Sequence, residues 1–90
     1  MGPGNSDADL EIVSTMVRSG VTGGKHVQRQ TVKNWCGGYD GDVLDDVIDD
    51  LINQGLIREK GRGTITLSSM RAGKDYIREN DDGGNYTWYL

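Results

Sequence analysis

A single cysteine in 90 residues, Cys36, leaves no partner for an intramolecular disulfide and suits a reducing compartment. A single histidine, His26, accompanies it. A structural zinc site takes about four Cys or His ligands, so this pair would need several carboxylates to complete one, and no cofactor is expected. No run of about 18 apolar residues occurs, which excludes a membrane-spanning helix. The first residues lack the basic-then-apolar pattern of a secretory signal, so a cytoplasmic location is the expectation. Apolar residues are scarce as well, at 34% of the chain. That suffices for a small core but not for one that also encloses a deep substrate pocket.

What the chain does have is charge, unevenly placed. Positions 40 to 50 hold six aspartates (Asp40, Asp42, Asp45, Asp46, Asp49, Asp50) and no basic residue. Of the net −4, these six contribute −6, which leaves +2 on the rest of the chain. Eleven Asp stand against three Glu, with only four Lys. A salt-rich cytoplasm would favour that bias, and so would a skewed genomic base composition.

Periodicity divides the chain into short elements. Residues 1–6 read as a disordered lead-in, residues 7–80 as one domain, and residues 81–90 as a flexible linker with an aromatic tail. Asp7 or Asp9 caps a first helix in which Leu10, Val13 and Val17 recur at helical spacing, and Gly20 stops it. A second helix is expected from about Val27 to Cys36, with Val32 and Trp35 facing inward and Gly37-Gly38 ending it. Asp40 or Asp42 starts a third. Its apolar pairs Val43-Leu44, Val47-Ile48 and Leu51-Ile52 leave Asp45, Asp46, Asp49 and Asp50 on the outer face. Gly55 fits a left-handed helix terminus. Two β-prone runs, 56–60 and 64–68, flank Gly61-Arg62-Gly63 and read as a hairpin with Ile65 and Leu67 on its buried face. Ser68 or Ser69 caps a last helix that turns Met70, Gly73, Tyr76 and Ile77 inward.

Three helices, a hairpin and a final helix (α-α-α-β-β-α), with Gly55-Leu56-Ile57 closing the third helix and Leu67-Ser68 and Gly73 around the start of the last, resemble the winged helix-turn-helix domain. The likeness covers roughly residues 8–80. It implies a mainly α fold with a small β-hairpin wing and a non-enzymatic role in binding double-stranded DNA, as in transcriptional regulators. The third helix would enter the major groove, and the wing would touch backbone or minor groove. In that family a helix after the wing often serves dimerisation, so a homodimer is a further expectation.

The third helix departs from this pattern. A reading helix offers basic or amide side chains to phosphates and base edges, whereas this one offers Asp45, Asp46, Asp49 and Asp50. Asp45–Asp49 and Asp46–Asp50 are also like-charge i,i+4 pairs, each unfavourable by about 0.2–0.5 kcal/mol on an exposed helix. Such a face suits a basic protein partner, or is a solvated surface in a salt-rich cell. Under the DNA reading, the phosphate contacts fall to Lys25, Arg29 and Lys33, spaced as one helical stripe, and to Arg58, Lys60 and Arg62 on the wing. Under the protein-docking reading, the contacts are the four aspartates together with Tyr86, Trp88 and Tyr89 of the tail.

Other motifs fail on spacing. Gly23-Gly24-Lys25-His26 lacks the earlier glycine and following Ser or Thr of a phosphate loop. An EF-hand loop begun at Asp40 would put Asp45 at its glycine position and Leu51 at its bidentate glutamate position. Cys36 and His26 need not meet, and no catalytic constellation emerges.

Overall fold

The computed structural model describes residues 8–81, Gly84 and Tyr86. The elements run α1 (Ala8–Arg18), β1 (Val27–Gln28), α2 (Arg29–Trp35), α3 (Gly41–Asn53), β2 (Ile57–Lys60), β3 (Thr64–Leu67) and α4 (Met70–Asn80). Four helices thus pack with a three-stranded antiparallel sheet of order β1-β3-β2. The lead-in 1–6, Trp88 and Tyr89 lie outside the described residues.

α1 is the centre of the packing, in contact with α2, α3, α4 and β3. Every residue from Ile12 to Val17 is buried, Ser14 and Thr15 included, because neighbours surround the helix on several sides. One apolar cluster joins it to Val32, Leu44, Ile48, Leu51, Ile57, Ile65, Leu67 and Ile77. Gly73 brings α4 close: a Cβ there would stand 2.9 Å from Val17 Cγ2 and 3.1 Å from Leu67 Cδ1.

α3 carries Leu44, Ile48 and Leu51 inward at helical spacing. It ends at Gly55, whose φ of +83° is the left-handed conformation that glycine adopts without steric cost. At the far end of the hairpin, Gly61 (φ +68°) and Gly63 (φ +69°) make the tight reversal around Arg62. Ser69 Oγ accepts a hydrogen bond from the Ala72 N–H at 3.0 Å and caps α4.

Three expectations need correction. The second helix begins at Arg29, not Val27, because Val27 and Gln28 pair with Ile65 and Thr64 as the short strand β1. That makes β3 the central strand, and the face of Thr64, Thr66 and Ser68, expected from their alternation with Ile65 and Leu67 to be wet, is so only in part, with Thr64 and Ser68 half-buried. Thr66 is buried, and its hydroxyl donates to the Lys25 carbonyl at 2.8 Å. Trp35 is 39% exposed rather than part of the core. α2 has only seven residues, and Val32 and Cys36, four apart, take its inward stripe. Trp35 therefore falls on the rim.

Candidate nucleic-acid interface

Strand β1 determines where α2 begins. Its pairing with β3 is continued by the Arg29 N–H, which donates to the Gly63 carbonyl at 2.7 Å. Arg29 is thereby hooked to the base of the wing turn, with its side chain over α3. One guanidinium nitrogen, Nη1, donates to Asp45 Oδ1 at 3.2 Å, and Nη2 donates to Asp49. Nε lies 3.2 Å from Glu59 Oε2 on β2, in a charge contact that is not aligned as a hydrogen bond. One turn later, Lys33 Nζ donates to Asp45 Oδ2 at 2.8 Å.

Two stripes thus interlock: cations four apart on α2 and carboxylates four apart on α3. The like-charge repulsion on each helix is relieved by the other. Burial alone would lower the Arg29 pKa, but the bond to Asp49 and the surrounding carboxylates outweigh it and hold the guanidinium above its ordinary value. The hydrogen bond from Lys33, with the charges of Lys33 and Arg29, holds the Asp45 carboxyl below the usual range. Two cations face three carboxylates here, so the cluster has no positive charge to offer a phosphate.

The six basic residues anticipated as phosphate contacts therefore divide. Arg29 and Lys33 are each only 19% exposed and are engaged within the fold. Lys25 is not on their stripe. It precedes β1 in a loop, and its ammonium donates to the Ser19 carbonyl at 2.9 Å. Arg58 and Lys60 are exposed on β2 and Arg62 is exposed at the wing tip, and none of them forms an ion pair among the described residues.

The acidic docking set divides too. Asp45 and Asp49 belong to the ion cluster, which leaves Asp46 and Asp50 on the open side of α3, where Asp50 accepts a bond from Gln54. Tyr86 packs against the core cluster, and its backbone N–H donates to Asp81. Burial and the neighbouring Glu11 and Tyr39 push its hydroxyl pKa up.

Two contributors escaped the reading of the sequence. Glu59 is the third carboxylate on Arg29, and only the period-2 alternation of β2 hints that it faces away from Arg58 and Lys60. The other is an open groove of about 500 Å³ on the outer side of the sheet, formed where the Gly23–His26 loop meets Arg58, Lys60 and Thr66. No group of three or more His, Cys, Asp or Glu that could hold a metal ion occurs among the described residues. No helix among them is long and apolar enough to cross a membrane. No family model matches the chain, nor does any curated protein or solved structure.

Proposed function

We propose that this chain is a non-enzymatic winged-helix domain that binds double-stranded DNA through the phosphate backbone, as a regulator or accessory protein of DNA. The helix-strand-helix-helix-hairpin-helix order supports the fold assignment. The observation that carries the function is the sorting of cations: those of α2 are neutralised by α3, whereas Arg58, Lys60 and Arg62 are exposed along one hairpin and form no ion pair among the described residues. Phosphate neutralisation supplies most of the affinity of sequence-independent DNA binding, and unpaired cations are what it requires. α3 presents no basic residue, so base readout from the major groove is not part of this reading.

Titrating a fluorescent duplex at two salt concentrations tests it. Three phosphate contacts give a slope of about −2.7 in log affinity against log salt, hence about a 40-fold loss between about 50 and 200 mM. Absence of binding at the lower concentration, or binding indifferent to salt, would overturn the assignment.

A further inference from the structure

The wing has two faces, and β2 sorts its side chains between them. Ile57 is buried and Glu59 reaches Arg29, so that side of the strand faces the helices. Arg58 and Lys60 project from the opposite side. Their register partners on β3 are Thr66 and Thr64. The unpaired cations of β2 therefore lie on the sheet face turned away from α3.

That face carries the groove. Its far wall is the turn Thr22–Lys25, closed by the Lys25 N–H donating to the Thr22 carbonyl at 3.1 Å, with Gly23 at a φ of +63°. The N–H groups of Gly23 and Gly24 make no hydrogen bond among the described residues, and a Cβ at either position would meet nothing within 4 Å. Successive unbonded N–H groups in a turn form a concavity that favours anions. His26 Nδ1 lies 3.2 Å from the Gly24 carbonyl, which ties the ring to this turn. Glu59 also borders the groove, but its carboxylate is drawn to Arg29 on the other side of the strand.

We infer that the duplex lies along this outer face of the hairpin rather than against α3. Arg58 and Lys60 contact successive phosphates of one DNA strand, and the phosphate beside Arg58 sits in the groove against the Gly23–Gly24 turn. Residues two apart on a strand are separated by about 6.6 Å, close to the spacing of neighbouring phosphates along a nucleic-acid strand. The orientation also takes the exposed carboxylates of α3, Asp46 and Asp50, away from the DNA. The inference rests on the DNA-binding reading and adds to it the face that is used.

The test follows backbone amides by NMR in the full chain while a short mixed-sequence duplex is added at low salt, with anisotropy of the same duplex measured in parallel. The expected result is shifts at Gly23, Gly24, His26 and Thr66 with none along residues 42–50. The double variant R58A/K60A should bind at least about tenfold more weakly, with a salt slope shallower by about two. D46N/D50N should leave affinity within about threefold, since its charges are remote from the phosphates. If the duplex binds but the shifts fall on α3, if R58A/K60A binds undiminished, or if D46N/D50N tightens binding more than tenfold, the orientation is wrong while DNA binding stands. Shifts in the groove on adding inorganic phosphate, with none on adding duplex, would overturn the duplex as occupant. No anisotropy change with any duplex would remove the DNA reading and this inference together.

Discussion

Asp45 sits between Lys33 and Arg29, and its neighbour one turn on, Asp49, completes the grip on Arg29. Asp46 and Asp50 share the same helix and charge without an ion-pair partner among the described residues. Two double substitutions of equal charge change should therefore behave differently. D45N/D49N leaves a mostly covered guanidinium with one remaining carboxylate, and should cost about 1–2 kcal/mol, between exposed and buried ion pairs. D46N/D50N relieves a like-charge pair and should be neutral or stabilising by about 0.2–0.5 kcal/mol. Urea unfolding at low salt distinguishes them, and equal effects would show that the cluster contributes nothing. Acid adds a second check. Because the folded Asp45 pKa lies below its ordinary value, its stabilisation is present above about pH 4 and is lost as pH falls through the lower folded value. The stability gap between wild type and D45N should close on acidification.

Among the elements, α4 docks against α1 and β3 through Gly73, where no side chain fits. Ala would raise intrinsic helix propensity by about 1 kcal/mol, but its Cβ would press a branched valine and a leucine that are themselves buried. The contact dominates, and G73A should lower stability by about 1–2 kcal/mol net, as overpacked cores do. A thermal melt higher than wild type would mean that α4 can slide without loss. The glycine was legible in the sequence as an inward position of the last helix, and so was Gly55 as a helix terminus, because both follow from local periodicity and backbone sterics. β1 was not legible. Two residues carry no period, and their strand conformation comes from Ile65 and Thr64, more than thirty positions away along the chain. Trp35 lies outside the core for a related reason: α2 is too short to bury both Cys36 and its aromatic neighbour, and helical period alone does not tell where a helix ends.

Across the whole molecule, the one thiol reports on opening. Cys36 is 1% exposed at the end of α2, and burial pushes its pKa up from 9.0 to about 11. Thiolate is the reactive form, so the raised pKa slows alkylation near neutral pH even before access is considered. Labelling should therefore track unfolding, accelerating with urea in parallel with the loss of helical signal. Labelling at the rate of an unfolded peptide in native buffer would show that the core around α2 is not closed.

The polarity of the chain, the apolar side of α1, α3 and α4, and the hairpin with its glycines were determined by the sequence alone, since each depends on neighbours three to five residues away. Which charges meet was decided by tertiary structure. The hydrogen bonds of Arg29 to Asp45 and Asp49 and of Lys33 to Asp45 span 16, 20 and 12 positions. Helical period tells which way a carboxylate points but not what another helix brings to face it. The acidic stripe of α3 and the basic stripe of α2 are each legible as solvent-facing runs. Only the packing of α2 across α3 makes them partners, while Arg58, Lys60 and Arg62 of the hairpin form no ion pair among the described residues.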